Sequence, residues 1–130
     1  MLVLIVDDER VVAESLAAIF RHAGHQPSFA TSPAEGLELA RQLRPQLLIT
    51  DVVMPGETGI ELAIKVLAEL PACKVLLMSG QAETSNLLEE AETHGHHFEI
   101  LAKPIWPPVL IDLAERLVAA QSSSSDAASA

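Results

Sequence analysis

The sequence predicts an α/β domain: a βα unit repeated five times, folding into a doubly wound, five-stranded parallel sheet in the order 2-1-3-4-5. Three observations point there. Short apolar runs recur along the chain, and three of them are almost wholly apolar, as strands covered on both faces are. Amphipathic stretches fall between these runs, and that alternation implies right-handed crossovers with helices on both faces. The apolar runs also end in polar residues at the edge where a doubly wound sheet binds its ligands.

The elements follow in order. Leu2–Val6 reads as the first strand and runs directly into Asp7, Asp8 and Glu9. Val12, Leu16, Ile19, Phe20 and Ala23 then form one helical stripe, which Gly24 can end. Gln26–Ala30 is a weaker strand, nearer an edge. Ser32-Pro33-Ala34-Glu35 is a capping box with proline at the first helical position, so a helix starts there. Residues 47–50 form the third strand, and Thr58-Gly59-Ile60-Glu61 offers a second capping box, followed by Ala63, Leu67 and Leu70. Residues 75–78 form the fourth strand. A short helix with a thin apolar face covers 83–94, and its acids Glu89, Glu90 and Glu92 read as a solvated face. Residues 98–102 form the fifth strand, and Pro107-Pro108 opens a last helix bearing Leu110, Leu113 and Leu117. Residues 1–120 make one domain. Residues 121–130, QSSSSDAASA, read as a disordered polar tail with no output domain behind it.

Composition narrows the function. The net charge is −10, which opposes binding to DNA phosphates or anionic membranes. Tyrosine is absent, and with three Phe and one Trp there is no stacking platform for single-stranded nucleic acid. No apolar run approaches the ~20 residues of a membrane span. The lone Cys73 cannot form an internal disulfide, which suits a reducing cytoplasm, and it reads as a buried strand residue.

The strand ends carry the chemistry. Asp7 and Asp8 follow the first strand, Asp51 the third and Ser79 the fourth, and Lys103 closes the fifth. In the order 2-1-3-4-5 they share one pocket. Crowded carboxylates repel, and a hard dication relieves the conflict. Mg2+ takes oxygen ligands and one or two carboxylates and keeps waters that a phosphate can replace. Lys103 offers a point charge for a phosphoryl oxygen and Ser79 a hydroxyl donor. An Asp51 oxygen can then attack phosphorus, in the manner of aspartyl-phosphate chemistry.

The stretches VDDE at 6–9, TDVVMPGETG at 50–59, LLMSG at 76–80 and LAKP at 101–104 resemble the response-regulator receiver domain of bacterial two-component signalling, over residues 1 to about 120. The resemblance implies a flavodoxin-like fold and a stand-alone phospho-acceptor switch in a phosphorelay. It makes Asp51 the acceptor, Asp8 a direct Mg2+ ligand, Asp7 the holder of metal-bound water and the Val53 backbone carbonyl a further ligand. Ser79 and Lys103 become the phosphoryl-binding pair, and the bond before Pro104 is commonly cis. The implied donor is a sensor histidine kinase or histidine phosphotransfer protein, and the signal passes to an unknown downstream protein by contact. Val53 and Gln81 would flank the water that hydrolyses the phosphoryl group. Such a domain catalyses only its own phosphorylation and dephosphorylation.

One departure stands out: Ile100 occupies the position, three before the lysine, where the family carries an aromatic. Phe98 lies two residues earlier and is not the matching position. That leaves a rival reading in which the domain signals by binding alone. A second rival, a phosphatase with an aspartyl nucleophile, lacks the usual D-x-D on the first strand and room for a cap domain. Bland readings cover the rest. Glu9 is helix-start charge. His94, His96 and His97 make a polar turn, since no Cys or carboxylate accompanies them. Trp106 is expected to be partly buried against neighbouring helices, with an exposed contact residue as the alternative. A transient homodimer through the last helices is left open.

Overall fold

Five strands and five helices alternate along the chain. They are β1 (Leu2–Val6), α1 (Arg10–His22), β2 (Gln26–Ala30), α2 (Pro33–Leu43), β3 (Leu47–Asp51), α3 (Gly59–Glu69), β4 (Lys74–Ser79), α4 (Thr84–Thr93), β5 (Glu99–Ala102) and α5 (Pro107–Ser129). The computed structural model describes residues 1–80, 84–93, 95–96 and 98–129, and their side chains apart from 84–87 and 121–129. Every strand pair is parallel, and the order is β2-β1-β3-β4-β5, as the sequence predicts.

Side chains alternate across the sheet, so each inner strand supplies two cores. Leu4 and Val6 of β1, Leu48 of β3 and Leu77 of β4 pack beneath α2 and α3 with Leu62, Ala63 and Val66. Val3 and Ile5, Leu47 and Ile49, and Leu76 and Met78 point the other way and pack beneath α1 and α5 with Phe20 and Leu110. β3 is buried at every residue. Burying a Leu or Ile side chain is worth about 1.5–3 kcal/mol, so the sheet's middle is where the fold is anchored. α2 lies close enough to β1 that Gly36 faces Val6; a Cβ there would sit 2.8 Å from Val6 Cγ2.

The helix starts follow the caps. Ser32 Oγ accepts from the Glu35 backbone N–H at 3.2 Å, and Thr58 Oγ1 from that of Glu61 at 3.1 Å. The returning contact of the first box goes one residue further back: Glu35 Oε1 accepts from the Thr31 N–H. Glu9 is the residue before α1, not in its first turn; its N–H donates to Asp7 Oδ1 at 2.9 Å and its side chain makes no cap. α2 ends on Arg44 in the left-handed region, φ 49°.

Other expectations need adjusting. Cys73 is buried, but in the turn before β4; burial pushes its thiol up to about 11, so it is unreactive at neutral pH. Phe98 lies outside β5, and its ring stacks on His96 at 5.9 Å between centroids. His96 sits in the turn after α4, where its N–H donates to the Ala91 carbonyl. His94, His97, Gln81 and the expected helix start at Glu83 lie outside the described residues. Trp106 is 71% exposed, against the partial burial the sequence suggests, because it sits in the loop before α5, where it is left uncovered among the described residues. Glu89, Glu90 and Glu92 are exposed, as expected. α5 continues past residue 120, where the sequence sets the polar tail, and among its described side chains the last one packed on the core is Val118.

Candidate functional site

The site forms where β1, β3 and β4 surface at their carboxyl ends. Register puts the acids side by side: Val6 pairs with Thr50, and Asp51 with Met78. Hydrogen bonds then extend the ladder beyond the strands and fix the loops. The Asp7 N–H donates to the Ala30 carbonyl, that of Val52 to Met78, and that of Lys103 to Ser79. Asp7 is fully buried, Asp51 is 9% exposed and Ser79 7%, while Asp8 faces solvent.

Carboxylate oxygens of Asp7, Asp8 and Asp51 lie within 4.8 Å of one another, the one such group among the described residues. Lys103 Nζ donates to Asp51 Oδ2 at 3.0 Å and lies 3.6 Å from Asp7 Oδ2. Lys103 follows the last residue of β5, and its peptide bond to Pro104 is cis. The structure thus brings Asp7, Asp8, Asp51 and Lys103 together; Ser79 ends β4 with its carbonyl bonded to the Lys103 N–H, and Val53, two residues after Asp51, is 45% exposed.

The charges are imperfectly balanced. Burial pushes the Asp7 carboxyl up; the Glu9 N–H and Lys103 oppose this, and the Asp51 and Asp8 charges reinforce it. Burial alone would lower the Lys103 ammonium, but the Asp51 hydrogen bond and the charges of Asp51 and Asp7 together outweigh it and hold it high. Asp7 Oδ2 is buried without a hydrogen bond, its ion-pair contact with Lys103 being 3.6 Å long, and a buried carboxylate oxygen that accepts no hydrogen bond is costly. The donor set is all oxygen, which fits Mg2+ or water bound to it.

Two supporting residues were not singled out from the sequence as parts of the site. Thr50 is fully buried, and its Oγ1 donates to the Asp51 carbonyl at 3.0 Å. Gly59, assigned only a loop-shaping role, starts α3 against the same carbonyl; its N–H donates to Val52, and a Cβ there would collide with the Asp51 carbonyl oxygen. A hydroxyl and a glycine flanking an acid at a strand end are the only local signals, and neither is distinctive alone. By contrast the aromatic position is as read: Ile100 is 37% exposed on β5, and Phe98 is turned into the core beneath α3.

Comparison with known proteins agrees with this architecture. The family model of the response regulator receiver domain matches residues 3–115. A response regulator receiver protein of Anaeromyxobacter sp. (strain Fw109-5) is 36% identical over 110 residues, 85% of this chain and 45% of that protein. The transcriptional regulatory protein YesN of Bacillus subtilis is 30% identical over 90% of this chain and 32% of its own length. The chain therefore spans less than half of these curated relatives. Among solved structures, a CheY-like receiver domain protein from Methanospirillum hungatei has the same fold, with TM-score 0.85 at 24% identity over 95% of this chain and 97% of that one. The chemotaxis protein CheY4 of Vibrio cholerae gives TM-score 0.79 at 25% identity over 89% and 97%. No helix among the described residues is long and apolar enough to cross a membrane. With the family model matching nearly the whole fold, and the strand order and acid pocket in place beneath it, the chain belongs to the response regulator receiver domain family of two-component signalling.

Proposed function

We propose that Asp51 is the phospho-acceptor of a Mg2+-dependent switch fed by a sensor histidine kinase or histidine phosphotransfer protein in the cytoplasm. The observation that carries this reading is the nearly buried Asp51 carboxylate, 3.0 Å from the Lys103 ammonium and grouped with Asp7 and Asp8. An Asp51 carboxylate oxygen attacks the phosphorus of a phosphohistidine. The new P–O bond forms as the P–N bond breaks, and the imidazole leaves with the electron pair and takes up a proton. Lys103 is already in place to transfer its hydrogen bond from Asp51 to a phosphoryl oxygen, and Ser79, at the end of β4, offers its hydroxyl to another. Asp8, Asp51 and the Val53 backbone carbonyl would hold Mg2+, with Asp7 holding its water. Bound there, the ion supplies charge neutralisation for the crowded oxygens. The buried Asp7 Oδ2, which accepts no hydrogen bond, supports this assignment.

Acetyl phosphate with Mg2+ should label the wild-type chain and leave Asp51→Ala unlabelled. No labelling of wild type, or equal labelling of the variant, refutes the reading. Val53 cannot orient water with its apolar side chain, so Val53→Asn or Val53→Glu should change the phosphoryl lifetime, measured by decay of the label; an unchanged lifetime counts against a role there.

In this reading residues 1–120 are the working unit and the output is a contact with another protein. The exposed Ile100 favours a second reading, signalling by binding alone. Partner affinity with and without beryllofluoride separates the two, and a large change removes the second.

A further inference from the structure

Thr50 puts a hydroxyl into an apolar layer. It is fully buried, and its partners across the sheet are Val6 of β1 and Leu77 of β4. Leu48 and Val52 stand two residues to either side, and all four of these neighbours belong to the core beneath α2 and α3. A buried hydroxyl costs stability unless it is bonded, so the place where it bonds is informative. Thr50 Oγ1 donates to the Asp51 carbonyl at 3.0 Å.

That carbonyl belongs to the peptide unit joining Asp51 to Val52. The other end of the same unit is also held, since the Val52 N–H donates to the Met78 carbonyl at 3.0 Å. The next carbonyl, that of Val52, accepts from the Gly59 N–H at 2.8 Å. Gly59 closes over this turn: a Cβ there would collide with the Asp51 carbonyl oxygen and lie 3.0 Å from Thr50 Oγ1. Three hydrogen bonds therefore pin the backbone from Asp51 to Val52, and the Val53 carbonyl is one residue further on. Of the three, only the Thr50 bond comes from a side chain, so it alone can be removed by substitution with the backbone groups left in place.

We propose that Thr50 is a positioning residue for Mg2+: its hydroxyl fixes the Asp51–Val52 peptide and so sets the spacing between the Asp51 carboxylate and the Val53 carbonyl. This rests on the reading that both groups hold the ion. Mg2+ demands near-ideal octahedral geometry, and the hydrogen bonds behind a metal's ligands govern how tightly it is held. The Asp51 side chain hangs from one end of the pinned segment, and the Val53 carbonyl follows the other. Lys103 steadies the Asp51 carboxylate from the pocket side, at 3.0 Å; Thr50 steadies its backbone from beneath. Without the hydroxyl the peptide is free to tilt, and the two oxygens must be brought to their spacing when the ion binds.

The test is calorimetric titration of Mg2+ into the full chain, without a phosphoryl donor, beside acetyl phosphate labelling at graded Mg2+. Thr50→Val and Thr50→Ala remove the hydroxyl, and each should raise the Mg2+ Kd about threefold to tenfold, the effect of one lost hydrogen bond. Thr50→Ser keeps the hydroxyl and should stay close to the wild-type Kd. In labelling, the half-saturating Mg2+ concentration should rise by the same factor, and the rate at saturating Mg2+ should recover. Val66→Ala, in the same core but on α3, should lose stability and keep the wild-type Kd. Circular dichroism checks each fold, and if Thr50→Val does not fold, Thr50→Ala against Thr50→Ser carries the comparison. A Kd unchanged in the variants without the hydroxyl overturns the proposal and leaves Asp51 as the acceptor. A Thr50→Ser as weak as Thr50→Ala overturns it too, since packing and not the hydroxyl would then set the affinity. So does an equal loss in Val66→Ala. A wild type that binds no Mg2+ removes this proposal together with the reading beneath it, and the wild-type titration alone tells the two failures apart.

Discussion

β3 and β5 are strands of one sheet with opposite surroundings. β3 is buried at all five residues, paired on both sides and covered by helices on both faces. β5 is an edge strand paired only with β4; Glu99, Ile100 and Ala102 are exposed, and Leu101 alone is half-covered. Asp51 stands at the end of the first, and Lys103 follows the second. The nucleophile we propose is therefore held by the stiffest part of the molecule, whereas its cation comes from a strand with little to hold it. Local stability tracks buried contacts, so movement on phosphorylation should be concentrated at β5 and its flanks rather than at β3.

The contrast can be broken by mutation. The largest effect expected is at the centre: Leu48→Ala empties a fully buried position and should cost about 2–5 kcal/mol by denaturant titration. Next is Gly59→Ala, which drives a methyl into the Asp51 carbonyl; strain of this kind costs about 1–3 kcal/mol and should also slow labelling of Asp51.

Asp7→Asn should act in the opposite direction and more gently. Burial raises the Asp7 carboxyl in the folded protein, so its favourable contribution is present below its unfolded value and lost as pH rises through its folded value. Without metal, the variant should melt higher than wild type at neutral pH, and the gap should close in acid. Excess Mg2+ should narrow it too, by stabilising wild type more. A variant that melts lower at pH 7 would mean that the Lys103 contact outweighs the burial of the charge. The smallest effect is at the edge. Ile100→Ala should cost less than about 1 kcal/mol, since the side chain is already 37% exposed; a cost like that of Leu48 would refute the contrast between the strands.

Much of the fold was legible because its causes are local. Runs of strand length placed all five strands within one residue at each end. Ser32 and Thr58 announced two helices, because a cap depends on residues three apart. The acids, the hydroxyl and the lysine at the strand ends announced the pocket. Trp106 was misread because its cover depends on which helices pass over a loop, and no neighbouring sequence reports that. Cys73 and Phe98 fell just outside their strands because an apolar residue packs as well in a turn as in a ladder.

The sequence by itself determined the alternation of strand and helix, the caps, and the identity of the polar residues at the strand ends, since each follows from periodicity or from neighbours along the chain. Only the tertiary structure decided that Lys103 reaches Asp51 across 52 residues, that Asp7 Oδ2 is buried 3.6 Å from the Lys103 ammonium without a hydrogen bond, and that α1 and α5 leave a groove between them. Those facts depend on register and on the packing of distant elements, where a shift of an ångström makes or breaks a contact.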